Sequence, residues 1–187
     1  MDESLKGLLE QTGQEILAAL LEIPDLQGLA ELIDVDLTSE GLRIELQEAS
    51  ESTFFDLGSP NLSPNGLKAV QAIGTVIAHL NMDVAVEGHT DSRPFAAESG
   101  PYTNWELSAD RANSARRVLS DSGVDPKHIT EIRGYADTNL KYPDNPLDSR
   151  NRRITIIVFN RILQERSMDV NNGETPGDIM DTLNGHD

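Results

Sequence analysis

The sequence contains no cysteine, few aromatic residues and no long apolar run. Without cysteine, the chain forms neither a disulfide framework nor a thiolate metal site. Because there are only four Phe, three Tyr and one Trp, the core must consist mostly of Leu, Ile, Val and Ala. No apolar stretch approaches the roughly 20 residues that cross a bilayer, and no basic start followed by an apolar segment marks a signal peptide.

Basic residues are also scarce. The 15 Lys and Arg stand against 32 Asp and Glu, which gives a formal net charge of −17. This charge argues against general binding to nucleic acid or anionic lipid, because both need a basic surface. Nine of the 15 basic residues nevertheless fall within residues 101–160. This concentration favours contact with a specific anionic group there; the alternative is that these residues only balance neighbouring acids.

The first 50 residues predict a helix followed by a hairpin. Apolar residues recur at helical spacing from Leu5 to Leu20, and Pro24 ends that helix. Its apolar stripe is expected to pack on its own domain or on a second copy of the chain. A short helical stretch over residues 25–32 follows, and two segments of alternating polarity flank Gly41, which is typical of a hairpin.

The remaining elements alternate between helices and strands. Ser63 and Thr103 are N-caps of two helices, and Glu106 completes a capping box with Thr103. Short apolar runs predict strands over residues 83–87, 129–133 and 154–158. The order predicts an α/β fold of the α+β sandwich type, with a mixed sheet, helices packed on one face and a preceding N-terminal helix. From Met168 onward the chain is acidic and poor in apolar residues, which predicts a disordered tail.

Two charged residues stand where such a fold forms a crevice. Asp91 follows a strand's carboxyl end, and Arg111 lies about two turns into the next helix. An acid and an arginine across a small pocket suit a zwitterion, since one holds an ammonium group and the other grips a carboxylate in a bidentate way. The alternative is a structural salt bridge between the two side chains.

The segments around these two residues carry a family resemblance. Val86-Glu-Gly-His-Thr-Asp91 followed by Asn104-Trp-Glu-Leu-Ser-Ala-Asp-Arg-Ala112 resembles the OmpA-like peptidoglycan-binding domain. Recognised motifs extend from about Gly41 to Phe159. The resemblance divides the chain into a helical linker or dimerisation region over 1–33, an OmpA-like domain over 34–166 and a disordered acidic tail over 167–187.

The resemblance implies non-covalent binding of the cell-wall peptide. In the family, the residues that match Asp91 and Arg111 grip the ammonium and carboxylate of diaminopimelate. The family motifs add further expected peptidoglycan-binding residues, namely Asn104, Leu107, Asp56, Gly58, Thr90, Asn151 and Arg152. Neither catalysis nor a cofactor is implied.

The form of the second motif is most similar to the branch of flagellar stator proteins of MotB type. Ser92-Arg93-Pro94 and a long insertion before Asn104 also fit that branch, whereas many OmpA-like domains have a glycine here. The branch implies a periplasmic homodimer that anchors the stator to the cell wall. It also implies a membrane-embedded partner of MotA type and an inner-membrane tether that lies outside this chain.

Three other interpretations stay open at this point. One is an OmpA-like anchor of another envelope complex, such as a secretion system or a lipoprotein. Another is a wall hydrolase that uses Asp91 or Glu87 as acid or base. The third is a metal site at His89, which is disfavoured because the other histidines do not have ligand spacing; a packing or hydrogen-bonding role for His89 is expected instead.

Overall fold

The fold is that of a computed structural model, which describes residues 2–49, 53–56, 58–95 and 101–162. The expected tail from Met168 onward lies outside these residues. The helices are α1 (Glu3–Leu21), α2 (Pro64–Ile77), α3 (Asn104–Asp121) and two 3-10 helices (Pro24–Leu32 and Ser149–Asn151). The strands are β1 (Ile33–Leu37), β2 (Gly41–Gln47), β3 (Met82–His89), β4 (Ile129–Gly134) and β5 (Arg153–Ile162).

The five strands form one mixed sheet in the order β1-β2-β5-β3-β4. The β1–β2 hairpin, the β2–β5 pair and the β5–β3 pair are antiparallel, whereas β3 and β4 run parallel. The parallel pair arises because α3 connects β3 to β4 as a crossover, which returns the chain in the same direction. The mixed sheet with helices confirms the predicted fold class.

The core lies between the helices and one face of the sheet. Alternate residues of the central strands point into it, and they include Leu42, Ile44, Val86, Ile154 and Ile156, none more than 2% exposed. The periodicity of two in the sequence therefore places one side of each strand against the helices. Burial of this apolar surface supplies the main stabilisation of the fold.

The α1 helix packs on its own domain. Its stripe of Leu9, Ile16 and Leu20 is at most 1% exposed and joins the same core as the sheet. Leu8 departs from the predicted stripe of α1, because it is 42% exposed. On α2, Leu67 is 41% exposed. No helix in the described part of the chain is long and apolar enough to cross a membrane.

The other face of the sheet carries a network of charged side chains. Glu45 accepts hydrogen bonds from Arg43 at 3.0 Å and from Lys141, and Arg133 Nη1 lies 2.7 Å from Glu87 Oε1. Burial alone would raise the pKa of Glu45. Its hydrogen bond to Lys141, with the charges of Lys141 and two arginines, outweighs burial and lowers that pKa to about 2. These ion pairs allow polar residues to be buried on this face.

Candidate functional site

A cavity of about 160 Å³ lies where the carboxyl end of β3 meets the first turns of α3. Residues 55, 56 and 58, Glu48 just after β2 and Arg152 just before β5 close its other sides. The residues that line it are Glu48, Phe55, Asp56, Gly58, Thr90, Asp91, Arg93, Pro94, Phe95, Asn104, Leu107, Arg111 and Arg152. Eight of the nine residues expected from the sequence are therefore brought together in one pocket.

The β3–α3 crossing fixes the pocket. A Cβ atom on Gly88 would lie 1.9 Å from the carbonyl oxygen of Ser108, so only glycine allows α3 to approach β3 this closely. The strand continues through Gly88 to His89, two residues beyond the predicted end at Glu87. At the strand end, the Thr90 amide donates to the Ala136 carbonyl over 2.8 Å, which holds Asp91 at the mouth of the crevice.

Arg111 is a buried cation without an ion-pair partner among the residues that the structure describes. Its residue is 4% exposed, its Nε donates to the Ser59 carbonyl over 3.0 Å, and its guanidinium lies 4.9 Å from the centre of the Phe55 ring. Burial lowers the pKa of Arg111 and the positive charge of Arg152 adds to this effect, while the charges of Glu48 and Asp91 oppose it without reversing it. A buried charge of this kind favours an anionic ligand, because no described carboxylate forms an ion pair with it.

Asp91 is held by other partners. Its Oδ2 accepts from Arg152 Nη1 at 2.7 Å and lies 3.4 Å from Arg93 Nη1, while its Oδ1 accepts from the Arg93 amide at 3.0 Å. The structural salt bridge that was the alternative for Asp91 and Arg111 is thus not formed in the described structure. The two side chains face the same cavity with separate attachments.

Arg152 ties the pocket to the sheet. Its Nη2 donates to the Ala49 carbonyl over 2.9 Å, and its own carbonyl accepts from the Glu48 amide at 2.9 Å. Its side chain is 16% exposed. Arg152 is therefore fixed at both ends beside Asp91.

Glu48 is a pocket residue that the sequence analysis missed. Its carboxylate is buried and accepts three backbone amides, from Thr53, Phe54 and Phe55, over 2.8 to 2.9 Å. These bonds hold the loop whose Ser59 carbonyl supports Arg111. The signal in the sequence is faint, an acid one residue after a strand and five before a Thr-Phe-Phe run. Phe55, Arg93, Pro94 and Phe95 were missed as well.

The first turn of α3 contributes two expected residues. Thr103 and Glu106 form the predicted capping box, which starts the helix at Asn104. Asn104 Nδ2 donates to the Arg93 carbonyl over 2.8 Å, and Leu107 lines the wall below it at 4% exposure. Trp105, in the same turn, is 54% exposed and does not line the pocket.

The facing loop contributes Asp56 and Gly58. The Asp56 amide donates to the Asn61 carbonyl over 3.0 Å, and the Ser59 amide donates to Asp56 over 3.1 Å, which closes a tight turn. Gly58 adopts a φ of +61°, a left-handed conformation that favours glycine. Across the cavity, Phe95 approaches Gly58, so this wall is partly aromatic.

Of the two remaining expected residues, Thr90 lies in the cavity wall and Asn151 lies outside it. Thr90 lines the pocket, and its Oγ1 is buried without a hydrogen-bond partner in the described structure. Asn151 does not line the cavity. Its Oδ1 accepts from the Tyr142 amide at 2.8 Å and its Nδ2 donates to Asn145 over 3.0 Å, so it shapes the loop that precedes Arg152.

His89 lies outside the pocket, on the charged face of the sheet. It is fully buried and stacks on Tyr135 with ring centroids 5.0 Å apart. Burial lowers its pKa, against the opposing effect of Glu87, whose Oε2 lies 3.5 Å from Nε2. The described residues contain no group of three or more His, Cys, Asp or Glu side chains placed to hold a metal ion.

Residues 54–153 match the model of the OmpA family, and they make up more than half of the chain. The chain belongs to the OmpA family. The matched range begins in the loop that Glu48 holds and ends at the start of β5, so it contains all the expected pocket residues. This confirms the resemblance seen in the sequence.

Motility protein B relatives share this OmpA-family region. Motility protein B of Escherichia coli K12 is 35% identical over 164 residues, which are 85% of this chain and 53% of that protein. The chain thus spans about half the length of that relative. Motility protein B of Helicobacter pylori J99 is 26% identical over 116 residues, which are 61% of this chain and 44% of that protein.

Solved structures of OmpA-like domains share the fold. A MotB-like protein from Desulfovibrio vulgaris superposes with a TM-score of 0.69 at 20% identity, covering 84% of this chain and 98% of that one. The cell wall anchor of the type VI secretion system from Pseudomonas aeruginosa gives a TM-score of 0.59 at 24% identity, with 75% and 96% covered. At these identities the likeness establishes the fold alone.

Proposed function

We propose that the chain binds peptidoglycan non-covalently through the diaminopimelate of the wall peptide. The observation that carries the proposal is the buried Arg111 guanidinium, which faces the cavity with a backbone carbonyl and an aromatic ring as its contacts. A ligand carboxylate would supply the missing counter-charge, and a fork of two N–H groups suits it. Asp91, across the same cavity, would receive the ammonium group that sits on the same carbon.

The remaining expected residues support this ligand in different ways. Thr90 and Asn104 offer polar groups at the end of β3 and the start of α3, and Leu107 offers an apolar wall. Asp56 and Gly58 place the opposite loop against the ligand. Arg152 would orient the Asp91 carboxylate, and Asn151 would hold the loop before Arg152.

Cell walls of two chemical types test the proposal. Purified protein is sedimented with walls that carry diaminopimelate and with walls in which lysine replaces it and removes the carboxylate. Retention on the first type and loss on the second are expected, because lysine leaves Arg111 without a partner. Equal retention on both wall types would show that Arg111 grips something else, and would refute this assignment.

The same incubation addresses the hydrolase interpretation. Glu87 lies on the opposite face of the sheet, where Arg133 donates to it and where its contacts with His89 and Arg133 outweigh burial and lower its pKa. It therefore does not reach the pocket as an acid. Asp91 is bound by two arginines. Release of soluble wall fragments during incubation would support hydrolysis, whereas retention without release supports anchoring.

We assign the anchoring to the stator of the flagellar motor, because the sequence relatives are motility proteins B. In this role the domain would lie in the periplasm, tethered to the inner membrane and joined to a partner of MotA type. The cell wall anchor of a secretion system shares the fold and is the second candidate. A transmembrane helix carrying one aspartate, encoded upstream of Met1, would favour the flagellar stator over the secretion-system anchor.

The proposed assembly is a homodimer. The proposal rests on the resemblance to the stator branch, whose wall-binding domains pair. The apolar stripe of α1 does not support it, because that stripe packs within its own domain. Light scattering over a range of concentrations measures the mass. A mass that rises toward twice that of the chain supports pairing, and a monomeric mass at the highest concentration contradicts it for this fragment.

A further inference from the structure

Two guanidinium groups share one oxygen of Asp91. Arg152 Nη1 lies 2.7 Å from Oδ2 and Arg93 Nη1 lies 3.4 Å from the same atom. The Asp91 side chain is only 5% exposed. The acid proposed to receive an ammonium group is thus contacted by two cations of the protein itself.

The two arginines are held very differently. Arg152 is 16% exposed, makes the shorter contact and is anchored a second time on the Ala49 carbonyl. Arg93 is 59% exposed, makes the longer contact and otherwise donates to the Leu147 carbonyl over 3.0 Å. The Arg93–Asp91 contact is long and its arginine is mostly exposed to water, so it contributes little to stability and the Arg93 side chain is displaced more easily than that of Arg152.

Displacing the Arg93 side chain leaves the local backbone intact. The Arg93 amide still donates to Asp91 Oδ1 over 3.0 Å, and the Ser92 amide still donates to Pro146 over 3.0 Å. Arg152 also keeps its place on Oδ2. The carboxylate would therefore keep its orientation, with one acceptor position open toward the cavity that Arg93 lines.

We propose that the Arg93 guanidinium occupies the ammonium position of the pocket and is displaced when the ligand binds. This inference rests on the proposed function and adds a competing residue to it. Arg93 would lower the affinity for any ligand that places an ammonium on Asp91. It would not oppose a ligand that only offers a carboxylate to Arg111.

Three N-acetylated tripeptides test this competition, and all contain L-Ala and γ-linked D-Glu. Their third residue is meso-diaminopimelate, lysine or 2-aminopimelate, so the side-chain end carries both groups, the ammonium alone or the carboxylate alone. Dissociation constants are measured by titration calorimetry for the wild-type chain and for Arg93→Gln, which keeps the side-chain length. Arg117→Gln, an exposed change on α3 outside the cavity, controls for the loss of one positive charge.

For Arg93→Gln we expect about two- to fivefold tighter binding of the diaminopimelate and lysine peptides. This fold-change corresponds to the free energy of a weak ion pair that the ligand no longer has to displace. Binding of the 2-aminopimelate peptide should not tighten, and Arg117→Gln should change none of the three. Weaker binding of the diaminopimelate peptide by Arg93→Gln, equal tightening of all three peptides, or no change would overturn the inference.

The wild-type measurements separate this inference from the function on which it rests. If the wild-type chain binds the diaminopimelate peptide no better than the other two, the proposed function fails and the inference falls with it. If the wild-type chain prefers diaminopimelate but Arg93→Gln shows no gain, only the role of Arg93 fails. Thermal unfolding of both variants confirms that they are folded at the titration temperature.

Discussion

Asp91 and Arg111 face the same cavity, but Asp91 is attached to Arg152 over 2.7 Å and Arg111 to the Ser59 carbonyl over 3.0 Å. The separation of their partners has a practical consequence. Substitution of Arg111 removes a cation that forms no ion pair with a described carboxylate. Substitution of Asp91 removes the counter-ion of a neighbouring arginine. The two variants therefore test binding with different side effects on stability.

Replacement of Arg111 by leucine should strongly weaken wall binding and leave the fold intact. Leucine fills an apolar position beside Phe55, and the lost interactions within the protein are one hydrogen bond to Ser59 and one ring contact. A charge-assisted hydrogen bond contributes about 1.5–3 kcal/mol, so binding should weaken by roughly 10- to 150-fold. Sedimentation with purified diaminopimelate walls measures the effect.

Arg117→Leu is the matched control for this variant. Arg117 lies on the same helix, is exposed and donates to Ser114 over 2.9 Å. It should retain wild-type binding. Full wall retention by a well-folded Arg111→Leu protein would contradict the binding assignment, and a drop in both variants would point to the helix and not to the pocket.

Replacement of Asp91 by asparagine should weaken both binding and stability. The amide removes the charge that faces Arg152, and its N–H group must point at another donor, either Arg152 or the Arg93 amide. A buried polar group left without a proper partner costs about 1–3 kcal/mol. Urea unfolding and wall sedimentation on the same sample should show both losses; unchanged stability would mean that Arg152 finds another acceptor.

The sequence predicted most of the fold because its signals are local. The hairpin around Gly41, the capping box at Thr103 and the alternation in β5 each depend on residues a few positions apart. The exposure of Leu67 was not predictable in this way, because helical spacing marks a stripe without showing which edge of it the neighbouring elements cover.

The site was predicted only in part, because some of its contacts join residues that are far apart in the sequence. Asp91 and Arg111 stand out because a strand end and a helix start bring them together within 20 residues. The contact between Asp91 and Arg152 spans 61 residues and depends on the register of β5, and the clamp from Glu48 depends on a loop conformation. Such contacts leave no periodic pattern, so only the folded chain reveals them.

Replacement of Gly88 by alanine should destabilise the chain and disturb the pocket. The new Cβ would meet the Ser108 carbonyl oxygen at 1.9 Å, which forces α3 away from β3. Overpacking of a core costs about 1–3 kcal/mol, and a clash with backbone belongs at the upper end of that range. Urea unfolding measures the loss, with Gly7→Ala as control, because nothing lies within 4 Å of a Cβ there. Equal stability of the two variants would contradict the close crossing.

Acid should destabilise the chain partly through Glu45. Its pKa is about 2 in the folded chain against an ordinary value of 4.5, because Lys141 and the neighbouring arginines favour the charged form more than burial opposes it. A carboxyl group with a depressed folded pKa contributes stability above its unfolded pKa, and that contribution is lost as pH falls from about 4.5 toward 2. The free energy of unfolding, measured in urea at a series of pH values, should therefore fall across this window.

In Glu45→Gln the free energy of unfolding should start lower at neutral pH, since Lys141 and Arg153 lose a counter-ion, and should fall less steeply below pH 4.5. The slope that remains would come from other carboxylates such as Glu87, whose pKa is also lowered. Parallel curves for the two proteins would show that Glu45 is not the group that titrates.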